Sequence, residues 1–115
     1  MPDPAHLLIA RVHGVAARSA ELRAAAQELA DASAGRDGCL GFDVLSVAGD
    51  ASELVLMSAW RSDRELRAHF GSGAYGRYVA AVTDLLTRPS DVTIHHVSGT
   101  VHPIADLSQE PQRAS

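Results

Sequence analysis

The sequence has a single cysteine, Cys39, and no lysine or asparagine. One cysteine cannot form a disulfide within the chain, so nothing in the sequence requires an oxidising compartment. No apolar run approaches the ~18 to 20 residues of a membrane-spanning helix, which excludes that class of protein. We therefore expect a cytoplasmic protein with no membrane partner.

Basic charge is also scarce, because ten arginines stand against 14 acidic residues and leave a net charge of -4. Nucleic-acid-binding surfaces need clustered basic residues, so nucleic acid is not an expected partner. The sequence also lacks phosphate-binding glycine loops, G-x-S-x-G, H-E-x-x-H and paired-cysteine motifs. The neighbouring His95 and His96 point to opposite faces of a strand and cannot share one ion, so we predict no metal site.

The apolar content is sufficient for one domain, since 46% of the 115 residues are hydrophobic. Domains usually contain about 100 to 150 residues, which leaves no room for a second core. We assign the folded domain to residues 5–101 and a polar C-terminal tail to residues 102–115.

Four segments have the apolar content and length of β-strands. Residues 6–13 form the first, and residues 38–48 and 54–60 flank a turn at 49–52 as an antiparallel hairpin. The last predicted strand covers residues 91–101. Neither hairpin strand shows the polar alternation of a sheet with one solvated face, so we expect both faces of the sheet to be covered.

The remaining segments predict helices. Residues 18–34 carry an apolar stripe at helical spacing. Ser62 and Glu65 form a capping box that begins a short helix through Phe70. After the break at residues 71–73, apolar residues recur at helical spacing from Tyr75 until Arg88-Pro89.

This order is βαββ(αα)β, an α+β, ferredoxin-like arrangement with an antiparallel four-stranded sheet. Its helices cover only one face of the sheet. In the second strand, alternation predicts Leu40, Phe42 and Val44 on one face, with Cys39, Asp43, Leu45 and Val47 on the other. Because the uncovered face is equally apolar, we predict that a second copy covers it in a homodimer.

Two residues are candidates for chemistry. Trp60, the only tryptophan, ends the third strand, and its alternative role is that of a large core side chain. His69 lies close to the glycine break, where the backbone can open around a ligand, and its alternative role is capping of the helix C-terminus. Tyr75 and Tyr78 lie one helical turn apart and could line the same pocket or belong to the core.

A series of spaced motifs resembles the antibiotic biosynthesis monooxygenase family over about residues 6–98. These motifs are Asp37-Gly38-Cys39-Leu40-Gly41-Phe42, an apolar strand ending in Trp60-Arg61-Ser62, Glu65-Leu66-Arg67-Ala68-His69, Ser72, and the pair Tyr75 and Tyr78. The resemblance implies a dimeric α+β barrel with a pocket between the sheet and helices of each subunit. It also implies an oxygenase that needs no metal or flavin.

The resemblance implies that O2 oxidises an electron-rich aromatic substrate, of the anthrone, polyketide or quinol type, to a quinone. His69 would be the base, since a reference pKa of ~6.5 suits that role at neutral pH. Trp60 would stack on the substrate and donate its N-H. We assign substrate binding to the side chains of Tyr75, Tyr78, Phe42 and Ser58.

Two departures from the family pattern limit this transfer. Many members carry glutamate where this chain has Ser58, so a carboxylate role there cannot be assumed. Haem-degrading relatives use a histidine in the helix after the glycine break, but residues 74–87 contain none. Haem degradation is therefore disfavoured.

Two other functions fit the same fold. One is a non-catalytic dimeric module that holds a ligand, and the other is a cofactor-free polyketide cyclase or isomerase. Consumption of O2 distinguishes the oxygenase from both.

Overall fold

The computed structural model describes residues 6–103. Its four strands form one antiparallel sheet in the order β2-β3-β1-β4, as a ferredoxin-like subunit requires. The strands are β1 (His6–His13), β2 (Cys39–Val47), β3 (Asp50–Trp60) and β4 (Asp91–His96). The predicted fold class is confirmed.

The helices also follow the predicted order. They are α1 (Ser19–Ala34), α2 (Asp63–Phe70) and α3 (Gly73–Val82), with short 3-10 helices at Ala16–Arg18 and Thr83–Leu85. Among residues 6–103, none of the helices is both long enough and apolar enough to cross a membrane.

The start of α2 confirms the cap predicted from Ser62 and Glu65. The backbone N-H of Glu65 donates to Oγ of Ser62 at 3.3 Å, which satisfies one of the free donors at the helix start. The reciprocal bond differs from a standard capping box, because Oε1 of Glu65 accepts from the Ser62 hydroxyl at 2.8 Å rather than from its backbone N-H. This well-anchored helix carries His69 in its last turn.

Two predicted boundaries need correction. The hairpin turn is tighter than residues 49–52, because Asp50 already pairs with Val47. Gly49 has a φ of +83°, which a glycine adopts without strain. The last strand ends at His96, opposite His6, rather than at residue 101. The predicted domain start at residue 5 and tail residues 104–115 lie outside the described residues.

A β-bulge at the start of β2 overturns the predicted facing of that strand. Cys39 pairs with Trp60 and Gly41 with Ala59, so Leu40 is an inserted residue without a partner of its own. Cys39 consequently packs with Trp60 on the helix-covered face, whereas Leu40 lines the opposite face. The prediction that Leu40 shares a face with Phe42, opposite Cys39, is therefore wrong.

The core on the helix-covered face consists of two clusters. The larger joins sheet residues to α1 and to the end of α3, and comprises Val12, Leu22, Ala26, Leu29, Leu54, Leu56, Val82 and Leu85. The smaller contains Leu8, Trp60 and Leu66. Residues of both clusters, Leu8 and Leu56, border one cavity, so the cavity lies where the clusters meet.

The opposite face of the sheet, here called the open face, is mostly apolar. Alternation along β1 and β3 places on it the half-buried side chains of Leu7, Ile9, Val55, Met57 and Ala59. Leu40 and Leu45 are each 42% exposed there. A shallow groove runs across this face between β1, β2 and β3.

One ionic cluster, centred on the buried His13, also lies on the open face. Glu53 and Asp91 accept from the two ring nitrogens of His13, at 2.5 and 2.8 Å, and Arg11 donates to Glu53. The hydrogen bond to Glu53 is the main reason that the pKa of His13 is raised, and the hydrogen bond to Asp91 is the second. The cluster ties β1 to both of its neighbouring strands.

Candidate active site

A cavity of about 50 Å³ lies between the sheet and the helices, large enough for a few water molecules. Five predicted site residues, His69, Tyr75, Tyr78, Phe42 and Ser58, line it together with Leu8, Ala10, Leu29, Leu56, Phe70, Ser90 and Val92. The structure thus brings predicted residues of the sheet, of α2 and of α3 together at one pocket. Trp60 is the one predicted site residue that does not border the cavity.

His69 is surrounded by aromatic rings. Its imidazole is 1% exposed and lies over the Trp60 indole, with ring centroids 4.7 Å apart and planes tilted by 31°. The centroids of Phe42, Phe70 and Tyr75 are 5.8, 5.5 and 5.4 Å away. These rings hold the imidazole at the cavity and keep water from it.

This apolar setting keeps His69 neutral. Burial, and to a lesser degree the Arg36 charge, lowers the pKa of His69 to about 4. The ring atom Nδ1 is buried without a hydrogen-bond partner, and an imidazolium would place an unsatisfied N-H there. At neutral pH the side chain therefore has the protonation state of a base, but its pKa is well below the ~6.5 expected from the sequence.

Trp60 lies behind His69 rather than on the cavity wall. It is fully buried, and its Nε1-H donates to Oγ of Ser58 at 3.0 Å. The N-H that we expect to donate to a substrate is thus donated to Ser58 in this structure. Ser58, two residues earlier on the same face of β3, is the member of this pair that reaches the cavity.

Ser72 joins the two helices that form one side of the cavity. Its hydroxyl donates to the backbone carbonyl of His69 at 2.7 Å, and its Oγ accepts from the backbone N-H of Tyr75 at 3.1 Å. Ser72 is thus both the link to the end of α2 and the N-cap of α3. These two bonds fix the base candidate relative to the first tyrosine.

The two tyrosines form the α3 side of the cavity. Their ring centroids are 6.2 Å apart, as expected for residues three positions apart on a helix. Burial is the main cause that raises the pKa of Tyr78 to about 12, and the neighbouring Tyr75 makes a smaller contribution. Its hydroxyl is therefore protonated at neutral pH and is available as a donor.

Phe70 and Val92 are among the cavity residues that the sequence did not indicate. The Phe70 ring contacts Tyr75 edge-on, with centroids 5.2 Å apart. Its position directly after His69, at the glycine break, is a signal that could have identified it. Val92 lies on the edge strand β4, where it lines the cavity and is 50% exposed. The sequence pattern of β4 contains nothing that marks Val92 as a cavity residue.

Within residues 6–103 no group of three or more histidine, cysteine or acidic side chains is arranged to hold a metal ion.

A family model described as antibiotic biosynthesis monooxygenase matches residues 5–81. The chain belongs to the antibiotic biosynthesis monooxygenase family. The match includes the hairpin, His69 and both tyrosines.

Two comparisons relate this family member to one mycobacterial protein. The relative named "Putative monooxygenase Rv0793", from Mycobacterium tuberculosis, is 44% identical over 78 residues, which are 68% of this chain and 75% of the relative. The solved structure of Rv0793 superposes with a TM-score of 0.78 at 33% identity, covering 84% of this chain and 98% of that one.

A more distant structure shares the same fold. The crystal structure of PA3566 from Pseudomonas aeruginosa has a TM-score of 0.77 at 20% identity, and covers 84% of this chain and 97% of that one. At this identity the similarity concerns the fold alone. This fold is therefore common to chains with very different sequences.

Proposed function

We propose that this family member is a monooxygenase that oxidises an electron-rich aromatic substrate, of the anthrone, polyketide or quinol type, to a quinone with O2 and without a cofactor. The observation that carries the proposal is the buried aromatic cavity beside a neutral His69. Rings of this kind bind an aromatic substrate by stacking, and the exclusion of water protects a reactive carbanion.

The first step is removal of a proton from the substrate by His69. A base with a pKa of about 4 is weak on its own. When it acts, however, the imidazolium forms beside the new substrate anion, and this opposite charge favours the protonated ring. The protonated hydroxyl of Tyr78 can donate to the same anion.

The substrate then supplies all the electrons that O2 requires. The carbanion transfers one electron to O2, and the resulting radical and superoxide combine to form a C-O bond. His69 returns its proton to the peroxide, and loss of water breaks the O-O bond and leaves a carbonyl on the former methylene carbon. One oxygen atom enters the quinone and the other leaves as water, so no external reductant is consumed.

The cavity must enlarge to hold a three-ring substrate. Its volume of about 50 Å³ is well below the ~300 Å³ or more of pockets that enclose drug-sized ligands. We propose that α3 moves outward, since Tyr75 and Tyr78 are only partly buried and helix α3 follows the break at Gly71 to Gly73. Ser72 then acts as the pivot because it bonds to both helices.

Oxygen consumption tests this function directly. With an anthrone as substrate, we expect one O2 consumed for each quinone formed, and one atom of labelled ¹⁸O2 in the product carbonyl. An oxygen electrode and mass spectrometry measure the two quantities, with spontaneous oxidation in enzyme-free buffer subtracted. Product formed without O2 would instead indicate a cyclase or isomerase, and binding without turnover would indicate a ligand-binding module.

We also propose that the protein is a cytoplasmic homodimer in which the open faces of two copies pack together. The apolar side chains of this face support the proposal, because its burial is favourable and a two-fold contact is self-complementary. Sedimentation at micromolar concentration should give twice the 12.1 kDa chain mass.

A charge on the open face should dissociate this dimer. Met57 lies near the centre of the face, and Met57→Glu places like charges against each other across the two-fold axis. Ala32→Glu, on the exposed surface of α1, is the matched control and should sediment as the dimer. A wild-type monomer at these concentrations would contradict the proposed assembly.

A further inference from the structure

The hydrogen bond between Trp60 and Ser58 has a fixed direction. An indole N-H can only donate, so at 3.0 Å Ser58 must be the acceptor. A serine hydroxyl carries one proton of its own, and this bond does not use it. The proton of Ser58 is therefore available to another acceptor, although the residue is only 2% exposed.

The side chains next to Ser58 on the sheet offer that proton no acceptor. Its cross-strand neighbours are Leu8 on β1 and Phe42 on β2, and its neighbours along the same face of β3 are Leu56 and Trp60. All four present carbon atoms or a donor. Among the described residues the Ser58 hydroxyl has no acceptor of its own, and the remaining space beside it is the cavity.

We propose that the Ser58 hydroxyl, oriented by the Trp60 N-H, is the donor that binds the oxygen of a deprotonated phenol or enol in the cavity. A buried hydroxyl with no intramolecular acceptor favours a ligand that supplies one. Acceptance of the indole N-H strengthens the hydroxyl as a donor, since hydrogen bonds in a chain polarise one another. This inference rests on the proposed function, because it assigns the group that recognises the substrate anion.

The chemistry therefore selects an aromatic ligand with an ionisable oxygen on the ring. His69 removes the proton, and Ser58 stabilises the charge that remains on oxygen. Trp60 contributes as a positioning residue, since it reaches the ligand only through Ser58. This arrangement gives Ser58 a role that a carboxylate could not fill, because an ionised carboxylate is only an acceptor.

Binding of 4-nitrophenol tests the inference without any oxidation. This one-ring phenol requires less expansion of the cavity than a three-ring substrate, and its phenolate is measured by its visible absorbance. We expect the wild-type protein to bind the phenolate and to lower the apparent pKa of the bound probe. Ser58→Ala should weaken phenolate binding about tenfold to a hundredfold and raise the bound probe's pKa. Nitrobenzene, which lacks the hydroxyl, should bind both proteins alike.

A matched pair of variants separates hydrogen bonding from folding. Ser58→Thr keeps the hydroxyl and should bind 4-nitrophenolate nearly as the wild type does, whereas the similarly shaped Ser58→Val should lose affinity as Ser58→Ala does. Trp60→Phe keeps the serine proton and should cause a smaller loss than Ser58→Ala.

Equal phenolate affinities and equal probe pKa values in Ser58→Thr and Ser58→Val would overturn the inference. The binding experiment and the oxygen-consumption experiment can fail separately. A protein that discriminates phenolate from nitrobenzene through Ser58, yet consumes no O2 with an anthrone, retains this binding role and loses only the oxidation.

Discussion

Replacement of His69 by glutamine should lower kcat for anthrone oxidation by about 10²- to 10⁴-fold, the usual contribution of a positioned general base. Glutamine preserves much of the size and polarity of histidine but cannot accept a proton at neutral pH. The surrounding rings of Trp60, Phe42, Phe70 and Tyr75 should hold the new side chain in place. Steady-state O2 uptake measures the loss.

His102→Gln is the matched control, because His102 is exposed and lies outside the cavity lining. It should leave kcat unchanged. Equal rates in His69→Gln and the wild-type protein would remove His69 as the base and would leave the cavity as a binding site alone.

The pH dependence gives a second measure of the same role. Burial lowers the pKa of His69 to about 4, so its neutral, active form exists above that pH and disappears below it. We therefore expect kcat/KM to fall as the pH drops through about 4, not through ~6.5, since this ratio reports the free enzyme. The step should be absent from the residual activity of His69→Gln.

Replacement of Trp60 by alanine should lower the free energy of unfolding by about 3–5 kcal/mol, the range for large aromatic side chains removed from a core. Trp60 is fully buried, packs with Leu8 and Leu66, and supports the His69 ring from behind. The variant leaves a cavity next to His69 and removes the indole N-H that donates to Ser58. Urea unfolding at a fixed protein concentration measures the change, because the stability of a dimer depends on concentration.

Trp60→Phe is the control for this prediction. It retains an aromatic ring over His69 and removes the N-H, so most of the packing free energy should remain. A loss below about 1 kcal/mol in Trp60→Ala would show that the smaller core cluster contributes little to stability.

Most of the fold could be predicted because several local signals agreed. The Ser62 and Glu65 cap, the glycine break after Phe70 and the apolar strands fixed the order of the elements and hence the antiparallel sheet. The bulge at Leu40 could not be predicted, since alternating apolar residues continue through it and only the pairing with β3 shows the extra residue.

The candidate site was predicted less completely than the fold. Proximity in the chain identified His69, Tyr75 and Tyr78, which lie around one break. The low pKa of His69 could not be predicted because it depends on burial by side chains from the sheet and from α3. The direction of the Trp60 bond likewise required the geometry of two residues on one strand face.

The inserted residue in β2 limits how substitutions can be transferred between relatives. Before Gly41, the residues face the opposite sides of the sheet from those that simple alternation predicts. After Gly41, alternation is regular, and Phe42 and Val44 face the helices as predicted. A chimera that exchanges strand β2 between proteins should therefore carry the segment from Cys39 to Gly41 as one block. Deletion of Leu40 alone would remove the bulge and leave Cys39 opposite Trp60 and Gly41 opposite Ala59 in a regular ladder.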